Sequence, residues 1–310
     1  MKIAVFGSGG VGGYFGARLA AAGEDVHFIA RGRHLDAIRS AGLKIRSPLG
    51  DVLIDPAQAT GDAAAVGAAD VVIVAVKLYD TEAAAEACKP LVGPASWVVS
   101  LQNGVTAADV LVTAFGRNRV VGGSSSIAAQ IEAPGVIVQT GTMATIAFGE
   151  WDGGPTPRTE ALHKACGKAG IDTTLADDIT GVIWSKFVFL AAFSGITAML
   201  RLPAGPIRDS AGHRHMFRRA MEETAAVAAA KGVALAGDLV DQRMAFLDGL
   251  APEMYASMYH DLMAGKRLEL PWLSGAVVDL GRALGVHTPV HGEFLAALDL
   301  PIGGGEVPDS

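Results

Sequence analysis

The sequence contains little cysteine and no strongly basic stretch, and both absences narrow the class of protein. Only two cysteines, Cys88 and Cys166, occur in 310 residues. Neither belongs to a C-x-x-C pair, so neither a disulfide framework nor a zinc site is expected. The eight histidines show no metal-ligand spacing, and we predict no metal site. The formal charge of −7, without a basic run, argues against a nucleic-acid partner.

The sequence also lacks the features of secreted and membrane proteins. The first residues enter a predicted strand at once, without the charged and apolar regions of a signal peptide. The longest apolar run, 187–200, is interrupted by Ser194, Gly195 and Thr197. It is therefore a poor candidate for a membrane span. We expect a cytoplasmic protein without a membrane partner.

The feature that the sequence does have is a glycine-rich turn close to its start. An apolar run at 2–6 precedes the turn, and an alanine-rich helical pattern ending at Gly23 follows it. In a dinucleotide-binding turn, Gly7 permits the sharp bend, Gly9 lets a pyrophosphate approach the backbone, and Gly12 lets helix and strand pack closely. The helix N-terminus then faces the phosphates. The alternative is a glycine turn without a ligand. The predicted cofactor-binding residues of this turn are Gly7, Ser8, Gly9, Gly10, Val11 and Gly12.

The end of the second predicted strand indicates which dinucleotide would bind. NAD sites usually place an acidic residue there, whereas NADP sites accommodate the 2′-phosphate with an arginine. Here Arg31 follows the strand at 25–30, and Arg33 comes two residues later. A guanidinium can form paired hydrogen bonds with a phosphate. The sequence therefore favours NADP, the alternative being that these arginines are solvated surface residues.

The order of predicted elements indicates an α/β fold with two domains. Strands and helices alternate through the first half, which predicts an N-terminal Rossmann-type doubly wound sheet. Short strands at 127–130, 136–140 and 145–149 are predicted to extend it in antiparallel fashion. From residue 178 the pattern becomes helical. We therefore predict an NADP-binding domain at 1–175 and an all-helical substrate domain at 176–310, with a frayed polar tail at 303–310.

Two polar residues follow neighbouring strands of the predicted sheet. Lys77 follows the third strand, and Asn103 follows the fourth. Ligands of open α/β sheets bind beyond the carboxyl ends of the strands, so Lys77 could meet the cofactor or a substrate carboxylate, and Asn103 could bond near the nicotinamide. Both could equally be ordinary turn residues, because Asn-Gly is a common turn signal.

The helical half offers a lysine with apolar neighbours and a glutamate before a predicted helix. Lys186 precedes the apolar run 187–193, and burial would lower its pKa into the range useful for acid–base chemistry. The alternative is a lysine that snorkels from a buried helix. Glu269 precedes a helix predicted near Pro271, where its carboxylate could simply favour the helix dipole.

The sequence resembles the ketopantoate reductase family across nearly its whole length. The shared segments, in order, are GSGGVGGYFGARLA at the start, the strand-end Arg31, VKLYDT around Lys77, LQNGV around Asn103, WSK at Lys186, SMYHD at Ser257 and RLEL at Glu269. The glycine motif alone is common to many families, and the later segments make the resemblance specific. The resemblance implies a Rossmann domain, a helical domain and NADPH-dependent reduction of a 2-keto acid to a 2-hydroxy acid, as in pantothenate biosynthesis.

The resemblance also implies roles for single residues. Lys186 matches the family's general acid, and Glu269 matches a glutamate that positions the substrate and the lysine. Asn103 would orient the substrate and the nicotinamide, Ser257 would bond the substrate's carboxylate end, and Lys77 matches a lysine near the cofactor.

The chain departs from the family one and two helical turns after the lysine, where asparagines are common. Here Leu190 and Ser194 occupy these positions, and Ser194 is retained as a substrate-binding candidate. Losing a hydrogen-bonding partner for the substrate's hydroxyl redirects selectivity. The alternatives to ketopantoate are a branched-chain or aryl 2-keto acid, as in a D-2-hydroxyacid dehydrogenase of the D-mandelate type, or a non-catalytic NADP-binding sensor. Apolar helices in the second half could also form a homodimer face.

Overall fold

The computed structural model describes residues 1–298, which form two compact units. The N-terminal unit comprises Met1–Asn103 and Ala107–Ile179, and the C-terminal unit comprises Gly104–Thr106 and the described chain from Thr180 onward. The tail at 303–310, predicted to be frayed, lies outside the described residues. The α/β fold class predicted from the sequence is confirmed, since the first unit is built on a mixed sheet and the second is helical.

The N-terminal unit is built on a parallel sheet whose central strands are apolar. Its strands are β1 (Lys2–Phe6), β2 (Asp25–Ile29), β5 (Ala59–Thr60), β6 (Val71–Val74) and β7 (Trp97–Ser100). The strand order in this part is β7-β6-β1-β2-β5, with every neighbouring pair parallel. Strands β6 and β7 and the middle of β1 are buried, as expected for parallel strands covered on both faces.

The second part of the sheet corrects one prediction. In place of several short strands, the chain forms one long hairpin of two 14-residue strands, β8 (Val120–Ala133) and β9 (Val136–Gly149). The two strands pair in antiparallel fashion, as predicted, and β8 joins the parallel part through β7. The remaining strands pair with β9 or with each other: β3 (Leu43–Arg46), β4 (Val52–Ile54) and β10 (Asp172–Leu175).

Helices cover the sheet on both faces and bury separate apolar clusters. On one face, Phe15 and Leu19 of the first helix pack with Phe28 and Phe148 of the sheet. The other face packs residues such as Leu111 against Val72 and Val98. The helices of this unit are α1 (Gly10–Ala21), α2 (Gly32–Ala41), α3 (Thr81–Ala87), α4 (Ala107–Phe115) and α5 (Pro157–Lys168).

The C-terminal unit is organised around one long apolar helix, α6 (Ile179–Leu200). By length and composition α6 is the one helix among residues 1–298 that could cross a membrane, and 56% of its most apolar window is buried inside the protein. Phe193 and Ile196 of α6 pack with Phe217 and Phe294, so its apolar composition serves this core. The other helices are α7 (Ala204–Asp209), α8 (Ala211–Ala230), α9 (Leu239–Gly249), α10 (Ser257–Met263), α11 (Ser274–Leu284) and α12 (Pro289–Leu298). The sequence patterns did not predict α7 and α10.

A buried polar cluster ties α12 to α8. The carboxylate of Glu223 accepts the backbone N–H groups of Val290 (3.0 Å) and His291 (3.1 Å), which caps the α12 N-terminus. The side chain of His291 is fully buried, and its Nε2 lies 2.9 Å from both the Ala220 carbonyl and the Thr224 hydroxyl. Burial lowers the pKa of His291 from 6.5 to about 4, so the folded protein holds a neutral imidazole at neutral pH.

We expect His291 to make the protein less stable in acid. The unfolded chain takes up a proton near pH 6.5, whereas folded His291 does so only near pH 4. The contribution is therefore complete above about pH 6.5 and falls by up to about 3 kcal/mol as the pH drops toward 4. His291→Gln keeps a donor near Ala220 and does not titrate. In thermal unfolding from pH 7.5 to 4, the wild type should lose more stability than this variant, and parallel curves for the two proteins would contradict the assignment.

Candidate functional site

The glycine turn between β1 and α1 has the geometry predicted from its sequence. Gly7 has a φ of +96°, and a Cβ placed there would lie 2.8 Å from Val76. A Cβ on Gly12 would lie 2.2 Å from the carbonyl oxygen of Gly7, so only glycine allows α1 to approach β1 this closely. A Cβ on Gly9 would meet nothing within 4 Å. The space beside Gly9 is therefore open, while the other two glycines are required by packing.

The N-terminus of α1 presents main-chain donors next to that open space. The first intrahelical bond runs from the Gly13 N–H to the Gly9 carbonyl at 2.7 Å. Within residues 1–298, the N–H groups of Gly10, Val11 and Gly12 have no acceptor, and the first turn carries no acidic side chain. Unpaired N–H groups at the positive end of a helix dipole form an anion site, so this turn could hold a pyrophosphate.

Ser8 serves the turn itself. Its N–H (3.2 Å) and its hydroxyl (3.0 Å) both donate to the Ile29 carbonyl, and its side chain is buried. Its own carbonyl accepts a hydrogen bond from Nε2 of His34 at 2.9 Å. The polar groups of Ser8 are therefore directed into the protein, as is the N–H of Gly7, which donates to the same Ile29 carbonyl at 3.2 Å.

His34 is a residue of this site that sequence reasoning did not identify. The Gly135 N–H donates to its Nδ1 at 3.0 Å, which leaves the proton on Nε2 for the bond to Ser8. Burial lowers the pKa of His34, which favours this neutral form. His34 thus joins the glycine turn to the hairpin of β8 and β9. Its position three residues after Arg31 was the available signal.

Arg31 lies at the end of β2, as predicted, but its guanidinium already has a partner. Its Nη2 lies 3.1 Å from Oδ2 of Asp80, and the two side chains are 80% and 36% exposed. Asp80 follows β6 in the VKLYDT segment. Sequence reasoning missed Asp80, since nothing local to Arg31 indicates a carboxylate from so distant a part of the chain. Arg33 is exposed.

Lys77 and Asn103 lie at the same edge of the sheet, because β6 and β7 are parallel neighbours. A buried network joins their two loops: the Gln102 amide donates to the Thr81 hydroxyl at 2.8 Å, and that hydroxyl donates to the Leu78 carbonyl at 2.7 Å. Gln102 is thus a further residue that positions this edge. Gln102 belongs to the LQNGV segment, and this was the signal from which it could have been found.

In the C-terminal unit, the structure places Lys186 within the electrostatic reach of Glu269. Lys186 is a partly buried residue of α6, and Glu269 is buried just before the 3-10 helix Leu270–Trp272. Burial lowers the pKa of Lys186 from 10.5 to about 8, and the charge of Glu269 acts in the opposite direction. The Glu269 side chain does not cap the 3-10 helix. This lysine can therefore release and regain a proton near neutral pH.

The candidate substrate residues have different environments. Ser257 is the exposed first residue of α10. Ser194 of α6 is only 1% exposed, and its hydroxyl has no hydrogen-bond partner among the described residues. The hydroxyl of Ser274, at the start of α11, is likewise buried without such a partner. Substrate contact at Ser194 and Ser257 remains a prediction.

A second cation of the C-terminal unit contacts the residue beside Lys186. Nη2 of Arg243 in α9 donates to the Ser185 hydroxyl at 2.6 Å, and burial lowers the pKa of Arg243. Sequence reasoning did not identify this contact. No group of three or more metal-ligating side chains occurs anywhere in residues 1–298.

Comparisons with known proteins agree with the resemblance in the sequence. A family sequence model described as "Ketopantoate reductase PanE/ApbA" matches residues 3–153, and its C-terminal counterpart matches residues 178–300. A 2-dehydropantoate 2-reductase of Mesorhizobium japonicum is 32% identical over 317 residues, covering 96% of each chain.

Solved structures share the fold over almost the whole chain. The crystal structure of 2-dehydropantoate 2-reductase from Geobacter metallireducens matches with a TM-score of 0.90 and 31% identity, covering 96% of this chain and 99% of that one. A D-mandelate dehydrogenase in a ternary structure with NADH and anilino(oxo)acetate matches with a TM-score of 0.88 at 22% identity, covering 96% and 97% of the two chains. At that identity the second match shows the fold alone.

Two alanine substitutions in the turn should separate cofactor binding from folding. Gly9→Ala adds a methyl group in open space, so we expect a loss of stability below about 1 kcal/mol but at least about tenfold weaker dinucleotide binding. Gly12→Ala forces a methyl group against the Gly7 carbonyl, so we expect at least about 2 kcal/mol of destabilisation. Thermal unfolding and titration with reduced dinucleotide check both results. Unchanged binding by a folded Gly9→Ala protein would place the phosphates elsewhere.

Proposed function

Because this chain belongs to the ketopantoate reductase family, whose members reduce 2-keto acids to 2-hydroxy acids, we propose that it catalyses such a reduction with NADPH. The observation that carries the proposal is the position of Lys186, a partly buried lysine of α6, within the electrostatic reach of the buried Glu269. A lysine with a pKa of about 8 is a suitable proton donor at neutral pH. The substrate is a small-molecule 2-keto acid, and we expect the reaction in the cytoplasm.

The residues of the glycine turn fit a dinucleotide. The open space beside Gly9 and the unpaired N–H groups of Gly10 and Val11 suit a pyrophosphate. At the end of β2, the guanidinium of Arg31 suits the 2′-phosphate that distinguishes NADP from NAD. Lys77 and Asn103 would contact the cofactor from the ends of β6 and β7. The nicotinamide, when bound, supplies the hydride for the reduction.

Lys186 would protonate the substrate during this reaction. In its ammonium form it donates a proton to the carbonyl oxygen as the carbon gains a hydride, which leaves a hydroxyl group and a neutral amine that solvent protonates again. The ammonium also stabilises the negative charge that develops on that oxygen. Glu269 keeps the lysine protonated, because its charge opposes the effect of burial on the Lys186 pKa. By the family resemblance, Ser257 would bond the carboxylate end of the substrate, and Asn103 would orient the substrate and the nicotinamide.

The proton donor should be visible in the pH profile. Reduction needs the ammonium, so we expect kcat/KM to fall above about pH 8 in the wild type, while oxidation of the 2-hydroxy acid rises through the same range. Glu269→Gln should move both transitions to lower pH. Profiles that do not change in Glu269→Gln would contradict the role given to the carboxylate.

Removing the lysine should abolish chemistry without abolishing cofactor binding. For Lys186→Ala we expect a loss of about 10² to 10⁴ in kcat and an NADPH affinity within about twofold of the wild type. Lys231→Ala, an exposed lysine at the end of α8, is the matched control and should keep full activity. A wild-type protein that binds NADPH but reduces no 2-keto acid would support a non-catalytic sensor.

A specific observation favours a more apolar substrate than ketopantoate. Leu190 lies one helical turn after Lys186 on α6, where the family resemblance leads one to expect asparagine. The side chain of leucine neither donates nor accepts a hydrogen bond. A substrate beside Leu190 would therefore find no partner there for the hydroxyl of ketopantoate. A branched-chain or aryl 2-keto acid lacks that hydroxyl and gains apolar contact.

This preference can be tested with a substrate panel. We expect wild-type kcat/KM to be higher for 2-ketoisovalerate or phenylglyoxylate than for ketopantoate. Leu190→Asn should raise the ketopantoate to 2-ketoisovalerate ratio by about tenfold or more. Leu284→Asn, an exposed leucine of α11, is the control and should leave the ratio unchanged. A wild type that prefers ketopantoate by a wide margin would contradict the apolar assignment.

A further inference from the structure

The ion pair between Arg31 and Asp80 lies across the end of the strand that leads into the glycine turn. In the sheet, β1 lies between β2 and β6, and all three strands are parallel. Arg31 follows β2 and Asp80 follows β6, so their contact spans two strand spacings, about 10 Å. Gly7 follows β1, the strand that lies between β2 and β6. The pair therefore stands beside the turn that is suited to a pyrophosphate.

We propose that Asp80 is a specificity-determining residue that sets how strongly this enzyme prefers NADP over NAD, by competing with the 2′-phosphate for the guanidinium of Arg31. The inference rests on the proposed function, because it takes Arg31 as the group that meets the 2′-phosphate. The carboxylate of Asp80 lies 3.1 Å from the guanidinium and offsets part of its positive charge. Of the two arginines that follow β2, Arg31 is thus already engaged, whereas Arg33 is exposed.

The charges on the two dinucleotides make the effect of Asp80 selective. The 2′-phosphate of NADP is a phosphomonoester with a charge of about −1.5 to −2 at pH 7. To bond Arg31 it must displace a carboxylate of the same sign, and Asp80 then remains close by and repels it. NAD presents a ribose hydroxyl at this position, which carries no charge. The carboxylate therefore weakens the binding of NADPH much more than that of NADH.

Removing the charge of Asp80 tests this directly. For the full-length Asp80→Asn protein at low ionic strength we expect the Kd for NADPH to fall about three- to tenfold, with the Kd for NADH within about twofold of the wild type. Because the pair is solvent-exposed, the gain should shrink at high salt, and folding should be unaffected. Both constants are measured by quenching of protein fluorescence.

A matched variant controls for net charge. Asp152 also forms an exposed ion pair in the N-terminal unit, with Arg117 at 2.8 Å, and Asp152→Asn removes the same single charge. We expect Asp152→Asn to change neither dissociation constant by more than about twofold. Asp152 follows β9 beside the start of β8, at the amino ends of the parallel strands, whereas Arg31 and Asp80 follow their carboxyl ends.

The Arg31→Ala variant separates the inference from the proposal beneath it. If Arg31→Ala weakens NADPH binding relative to NADH, the cofactor assignment holds, and Asp80→Asn decides the role of Asp80. If Asp80→Asn leaves the preference for NADPH over NADH unchanged, Asp80 does not compete with the 2′-phosphate and the inference is wrong. If Asp80→Asn lowers this preference, the inference is also wrong, because Asp80 would then hold Arg31 in place for the phosphate. If Arg31→Ala leaves the preference unchanged, the NADP assignment itself fails. In the Arg31→Ala background, the gain from Asp80→Asn should be smaller than in the wild type.

Discussion

The close approach of helix α1 to the sheet is the constraint on which the nucleotide-binding half depends. Four glycines of the helix lie against neighbours with no room for a side chain, among them Gly10, where a Cβ would meet the Ala129 carbonyl oxygen at 2.2 Å. A Cβ at Gly12 would meet the Gly7 carbonyl at 2.2 Å, one at Gly13 would meet Ile137 at 2.2 Å, and one at Gly16 would meet Phe28 at 2.7 Å. The helix therefore begins directly at the end of β1. The N–H groups of its first turn and its dipole are held in a geometry suited to an anion, and packing of this density leaves the turn little freedom.

The C-terminal unit uses two buried glutamates for different purposes. Glu223 accepts two backbone N–H groups and caps α12, a role in which its carboxylate stabilises structure. Glu269 faces a lysine whose burial would otherwise favour the neutral amine. Buried ion pairs contribute little net stability, because desolvation offsets the attraction between the charges. Burying Lys186 costs free energy, and the same burial brings its pKa closer to neutral pH, as is common at functional sites.

Local patterns predicted helices and strands well where turn-forming residues bound a stretch with a clear apolar pattern. The strand at 2–6, the helix that ends before Gly23 and the strand at 25–30 were predicted close to their observed bounds of Lys2–Phe6, Gly10–Ala21 and Asp25–Ile29. The long hairpin was predicted as several short strands, because glycines such as Gly123 and Gly141 interrupt the apolar pattern, whereas pairing along the partner strand carries the ladder through them. Helix α7 was missed for a related reason. It contains Gly205, a residue that disfavours a helix in sequence patterns. In the structure Gly205 packs so closely against Pro252 that no Cβ fits, and this contact is distant in sequence.

The sequence by itself determined the strand, glycine turn and helix at the start and the change from an α/β to a helical pattern. These features depend on backbone preferences and side-chain types within a few neighbouring residues. The residues that carry the proposed chemistry were indicated by the family resemblance. Only the tertiary structure decided that Ser8 is directed into the protein, that Asp80 engages Arg31, and that Glu269 opposes the effect of burial on Lys186. Each of these depends on groups that are far apart along the chain, and such groups meet only when the whole unit has folded.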